Sequence, residues 1–205
     1  MDLAWRAVAA LARVAIWFGG AMLFAAAAIV TAEVLLRKGL GALFGSNFVF
    51  SGSDEISGYL FAVGTSWSMA HVLVTRGHVR IDVLYGAFGP RARTLLDLFA
   101  LIVLAIFVAV LLERTWDVAS TSYSEGIRSN TPLRLPLAWS QLPWFGGIAL
   151  FAVALLLAIL RTLSSLLRGD YAAAAEISGA ITQDEEIESE LVGLGLHKEK
   201  ARAGN

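Results

Sequence analysis

Residues 14–32 read VAIWFGGAMLFAAAAIVTA, nineteen consecutive positions without a charged side chain. At 1.5 Å per helical residue such a run spans about 28 Å, close to the roughly 30 Å hydrocarbon core of a bilayer. The apolar character continues to Leu36 if Glu33 lies near the boundary. Arg6 and Arg13 precede the run in the manner of a signal peptide, and residues 25–28 offer small side chains like those of a cleavage site. The run is nevertheless longer than the roughly 7–15 residues of a signal h-region, so a retained helix is expected.

Three further stretches carry the same character. Residues 56–75 contain one ionisable group, His71. Residues 98–112 are too few to span alone, so the third helix is expected to start near Ala92 and to include Asp97. Residues 135–160 are free of charge, with Pro136 and Pro143 placing the regular helix start between Trp139 and Trp144. The expectation is an all-α integral membrane protein with four transmembrane helices at about 14–36, 55–75, 92–113 and 139–161. Residues 1–168 then form one membrane domain, and 169–205 an acidic tail, solvated and partly disordered.

Composition agrees with that solvent. The chain is 57% hydrophobic and 16% charged, with a mean hydropathy of +0.68, against about 45–50% and about 25% in soluble domains. It has no cysteine, which excludes disulfides, thiolate metal sites and a cysteine nucleophile. Its net charge of −1 divides unevenly. Residues 1–169 hold 13 Lys/Arg against 9 Asp/Glu, while 170–205 hold 3 against 8. Eight arginines (6, 13, 76, 80, 91, 93, 161 and 168) fall on one side of the four spans, and five basic residues (Arg37, Lys38, Arg114, Arg128 and Arg134) on the other. That bias puts both termini in the cytoplasm.

The span ends carry boundary signals. Ser53 is suited to cap the second helix, with Asp54 and Glu55 in its first turn; Gly77 is suited to end it, and Pro90 to begin the third. Trp116, Trp139 and Trp144 fall where rings prefer the bilayer interface. Glu33 and Arg37 are spaced i, i+4 with favourable polarity. Glu33, Asp54, Glu55, Asp97 and Glu113 all lie near span ends, where they are expected to reach water.

Little points to catalysis. No nucleophile elbow, phosphate loop or dinucleotide fingerprint is present. His71 and His78 are seven apart and share one helix face, whereas a haem held from both sides needs histidines on facing helices. No cofactor, metal or nucleic-acid partner is expected. Mid-span carboxylates and broken helices, which mark a stand-alone transporter, are also missing. Contact surface is what the chain offers. Ser57, Gly64, Ser68 and His71 form one small or polar stripe on the second helix, continued by Thr75. Ala21, Ala25, Ala28 and Ala32 form another on the first. Either stripe can pack the bundle internally or dock it to another membrane protein.

One segment has a recognisable pattern. Arg76-Gly77-His78-Val79-Arg80-Ile81-Asp82 follows the second apolar run and precedes Arg91 and Arg93. Arg37 closes the first run, Asp54-Glu55 opens the second, and Pro136, Trp139 and Pro143 open the fourth. This combination resembles the small (Q) membrane subunit of tripartite ATP-independent periplasmic transporters, the TRAP family, over roughly residues 14–165. Ser53 stands where that family has an aromatic before its acidic pair, and the acidic tail lies outside the pattern.

The resemblance implies a non-enzymatic subunit in the bacterial inner membrane. It implies pairing with a large (M) permease subunit and a periplasmic substrate-binding protein in sodium-driven uptake of organic acids. Arg37, Asp54, Glu55, Gly77, His78, Asp82, Arg93, Pro136 and Trp139 are then expected in structural or subunit-contact roles. The small subunit of a tricarboxylate tripartite transporter and a cytochrome membrane anchor are the alternatives.

Overall fold

The computed structural model describes residues 2–40, 52–77, 89–179 and 191. The described elements are helix α1 (Asp2–Leu35), continued by a π-helical turn at Leu36–Leu40, then α2 (Ser53–Val74), α3 (Pro90–Ser124), α4 (Ala138–Leu167) and the short α5 (Tyr171–Ser178). His78, Arg80, Asp82 and residues 180–190 lie outside the described residues, and with them the core of the motif between the second and third runs.

Among the described residues, three helices are long and apolar enough to cross a membrane: Leu3–Gly39, Arg91–Ser124 and Ala138–Leu167. α2, with 22 residues, is about 33 Å long but less apolar. Its place in the bundle accounts for its composition. α1 packs along α2, α2 along α4, and α4 along α3. The lateral order α1–α2–α4–α3 therefore differs from the chain order and puts α2 between two neighbours. Its hydroxyls find acceptors on its own backbone: Ser66 Oγ donates to the Val63 carbonyl at 2.9 Å and Ser68 Oγ to that of Gly64 at 2.8 Å.

Close approach on both sides of α2 depends on glycine. A Cβ built on Gly64 would lie 2.8 Å from the Gly19 carbonyl oxygen, and one on Gly147 would lie 2.7 Å from the Ser66 carbonyl carbon. Both contacts are with backbone, so a side chain at either point forces the helices apart. Around them the core is small and apolar: Ala12, Ala70 and Ala154 are fully buried, with Phe151 and Leu155 filling the larger spaces. In lipid, fit of this kind rather than hydrophobicity holds helices together.

Of the two uses open to the small-residue stripes, the structure shows internal packing for part of the one on α2. Gly64 and Ser68 face Gly19 and are used inside the bundle. On α1 the packed face runs through Val8, Ala12, Ala15, Gly19 and Ala26, whereas Ala21, Ala28 and Ala32 are exposed. Both faces have helical spacing and small residues, so periodicity alone does not separate them.

Helix ends also depart from expectation. Ser53 is not a cap: Gly52 holds that position, and the Ser53 hydroxyl donates instead to the buried Glu33 carboxylate. Gly77 follows the end of α2 as expected, but it is not the left-handed residue there. Arg76 takes that conformation (φ 58°), its N–H donating to the Leu73 carbonyl and the Gly77 N–H to that of Val72. The Arg76 guanidinium also donates to the Ala175 carbonyl at 3.5 Å, tying this end to α5.

Pro90 begins α3 as expected, but α3 runs on to Ser124, past the span end expected at about 113. Thr115, Ala119 and Ser122 are buried at helical spacing there, continuing the packed face. α4 begins at Ala138 with Pro143 inside it.

Candidate functional site

Four helix ends meet at one face of the bundle: the C-termini of α1 and α3 and the N-termini of α2 and α4. Two carboxylates are buried here. Glu33, near the end of α1, is 7% exposed. It accepts from the Arg37 guanidinium one turn on and from the Ser53 hydroxyl across on α2. The i, i+4 pair expected from sequence is present, and a bond to α2 is added to it.

Glu55, one turn into α2, is equally buried. It accepts from the Tyr59 hydroxyl at 2.7 Å and from the Thr131 hydroxyl, and the Thr131 hydroxyl is paired with that of Ser129 at 2.8 Å. Ser129 and Thr131 belong to the segment joining α3 to α4. That segment folds back on itself. The Ser129 N–H donates to the Leu135 carbonyl at 2.9 Å, and the Leu137 N–H to that of Ile127 at 3.0 Å. Arg128 and Pro136 lie opposite each other as an antiparallel bridge.

Side chains alternate along it: residues 127, 129, 131, 133 and 135 turn inward, while Arg128, Asn130, Pro132 and Arg134 are exposed. Leu133 seats directly over Gly52, where a Cβ would lie 2.2 Å from its Cδ1. The carboxylate and the glycine together fasten this loop onto the start of α2.

These carboxylates and Asp97, which is 2% exposed, were expected to reach water and do not. Burial of a charged group is costly unless it is paired and hydrogen-bonded, and the donors around Glu33 and Glu55 meet that need. Both carboxylates tie one helix to another element. No group of three or more His, Asp or Glu suited to a metal ion occurs among the described residues.

The remaining expected residues fall at both ends of the bundle. Asp54 is exposed beside Glu55, Pro136 helps close the loop, and Trp139 is 74% exposed at the start of α4. At the opposite end, Gly77 follows α2 and Arg93 is partly buried in the first turn of α3. Ser57 Oγ returns to the Asp54 carbonyl at 3.2 Å. The His71 Nδ1 is buried without a hydrogen-bond partner among the described residues.

Sequence reasoning missed Tyr59, Ser129, Thr131 and Trp67. The Trp67 indole donates to the Pro143 carbonyl at 2.8 Å, joining α2 to α4, and its ring meets Phe18 edge-on at 5.1 Å, joining α2 to α1. Only the position of a tryptophan opposite a helix-interior proline would have signalled that bond. Replacing Trp67 with Phe keeps an aromatic ring and loses the bond. It is expected to lower stability by about 0.5–1.5 kcal/mol, measured by thermal unfolding in detergent.

Below the loop, an open groove of about 260 Å³ runs between α1, α2 and α4, walled by Phe18, Met22, Leu60, Val63 and Trp139. Long apolar side chains also cover the outer faces of the two edge helices, among them Trp17 and Phe24 on α1 and Phe99, Ile106 and Phe107 on α3, each at least 60% exposed. The arrangement therefore combines an end with two hydrogen-bonded buried carboxylates and wide apolar edges.

Comparison with known proteins adds one finding. The family described as tripartite ATP-independent periplasmic transporters, DctQ component, matches residues 26–165. No curated protein and no solved structure gives a significant match.

Proposed function

Because the chain belongs to the DctQ-component family of tripartite ATP-independent periplasmic transporters, a family of transporter components, we propose that it is the small scaffold subunit of such a transporter. It pairs with the large M permease subunit in the bacterial inner membrane. The family match carries this reading, and the structure lends it physical support. Glu33 and Glu55 are engaged in holding helices and a loop together, and the edge helices α1 and α3 present broad apolar faces. A chain built in this way is suited to enlarge the fixed part of a permease rather than to carry substrate or catalyse a reaction.

In this reading all four long helices span. α2 is long enough to cross the core, and its flanking helices shelter its polar residues from lipid. Both termini are cytoplasmic, in keeping with the arginine bias. The loop fastened by Glu55 then faces the periplasm, where the substrate-binding protein operates, and the complex takes up organic acids with sodium as the coupling ion. His78 and Asp82 brace the cytoplasmic turn between α2 and α3 or contact the large subunit. Asp82→Ala is expected to lower recovery of the large subunit by several-fold in co-purification, and normal recovery would remove that role.

The deciding experiment is a pull-down of tagged chain from detergent-solubilised native membranes, with mass spectrometry of the companions. A multi-span permease in near-equal amount is the expected result. Recovery with haem would favour a cytochrome anchor instead, and recovery alone would remove the scaffold reading.

A further inference from the structure

The groove below the Glu55 loop has fixed positive charge beside it. Leu135 and Pro136 line it from the loop, Ile56 and Tyr59 from α2. Arg128 lies opposite Pro136 across the antiparallel bridge, and its guanidinium donates to the Arg134 carbonyl at 3.2 Å. That carbonyl belongs to the peptide leading into Leu135, so the guanidinium is held next to a groove residue. Arg134 is exposed as well, on left-handed backbone (φ 50°).

The carboxylates of this end do not cancel that charge. Glu33 and Glu55 are buried and hydrogen-bonded. Asp54 lies about 200° round α2 from Ile56, on the side away from the groove. Glu113, Asp117 and Glu125 are on α3 or at its end, which does not border the groove. Residues 41–51, between α1 and α2, contain no charged side chain.

Depth and width narrow the choice of occupant. α1 and α4, which flank the groove, are long and apolar enough to cross a membrane. Trp139, in its lining, is 74% exposed, and Trp116 and Tyr123 are exposed on the final turns of α3. Such rings favour the bilayer interface, which puts the two arginines at headgroup level and the groove just beneath them. Between Ile56 and Val63 the groove follows α2 for about 10 Å. A space of about 260 Å³ over that length is too slender for another helix, about 10–12 Å across with its side chains, but it admits one hydrocarbon chain.

We propose that this groove is a binding site for an anionic phospholipid, with one acyl chain between α1, α2 and α4 and the phosphate met by Arg128 and Arg134. Guanidinium groups suit phosphate oxygens, which they can bind two at a time. The site needs neither a particular orientation of the chain in the membrane nor the transporter reading.

The test offers the full-length chain in mild detergent either dioleoyl phosphatidylglycerol or dioleoyl phosphatidylcholine, and counts the retained lipid by native mass spectrometry. One phosphatidylglycerol per chain should be held in preference to phosphatidylcholine. Arg134→Asn should weaken that retention about fivefold. Asn tolerates the left-handed backbone, and the Arg128 bond, made to a main-chain carbonyl, stays in place. Arg128→Gln added to it should weaken retention by a similar factor again. Leu60→Trp keeps both arginines but fills the groove, and should lower retention several-fold. Arg114→Gln, which removes an exposed arginine from α3 at the same end, should change nothing. Equal retention of the two lipids overturns the proposal. So does a preference that Arg114→Gln reduces as much as Arg134→Asn does, since that is adsorption to net charge. Retention that survives Leu60→Trp puts the lipid elsewhere and overturns it too.

Discussion

Leucine at Gly64 is expected to separate α1 from α2. Even the first carbon of such a side chain would meet the Gly19 carbonyl oxygen at 2.8 Å, and the Met22 Cβ and the Leu23 Cγ lie within 3.2 Å. A flexible side chain can move aside; a carbonyl in the middle of a helix moves only with its helix. Overpacking commonly costs about 1–3 kcal/mol, and a backbone obstacle puts this site at or above the top of that range. Separation would also expose Ser68, whose hydroxyl packs against Gly19, and loosen the Phe18–Trp67 ring contact. Gly20→Leu is the control, because nothing lies within 4 Å of a Cβ there, and a change within about 0.5 kcal/mol is expected. Thermal unfolding of both variants in the same detergent measures the difference. Equal stability would mean that the α1–α2 contact is looser than the structure has it.

Removal of the Glu55 side chain is expected to free the loop between α3 and α4. The Tyr59 and Thr131 hydroxyls both donate to this one carboxylate, and Ser129 bonds Thr131 in turn. In Glu55→Ala the two hydroxyls lose their acceptor in a half-buried place, which costs more than the bonds themselves contribute. The loop then keeps only its internal backbone bonds and the seat of Leu133 on Gly52.

Arg128 and Arg134 are exposed in this loop, so limited trypsin digestion reports its opening directly. Cleavage there should accelerate roughly tenfold or more, as expected when a locally closed segment opens. Asp54→Ala, one residue away but exposed, should leave the rate near that of the parent chain. Glu55→Gln should fall between, since one amide oxygen still accepts while the amide nitrogen faces donors. Unchanged cleavage in Glu55→Ala would mean that the loop is held by Leu133 and its own backbone alone.

Much of this molecule was legible in the sequence for local reasons. Apolar run length indicates helices that need a non-aqueous solvent, and Arg37, in the π-helical turn, realises with Glu33 a pairing that i, i+4 spacing already implied. The family resemblance rests on short motifs near span ends, and the match at residues 26–165 agrees with it. The loop clamp was only half visible. Glu55 stood out as part of an acidic pair, but Ser129 and Thr131 are ordinary polar residues 74 and 76 positions further on. Nothing in their spacing marks them as its partners.

By itself, then, the sequence determined the helical character, the membrane solvent, the uneven placement of arginine and the family. These follow from composition and from patterns within single segments. Only the tertiary structure decided that α2 lies between α1 and α4, which of two small-residue faces on α1 is packed, and that Glu33 and Glu55 are enclosed rather than wet. The reason is that lipid is as apolar as leucine, so burial of apolar surface does not choose between neighbours. The choice falls to shape and to a few hydrogen bonds, Gly64 on Gly19, Gly147 on Ser66, Trp67 to Pro143, whose partners come together only when the chain has folded.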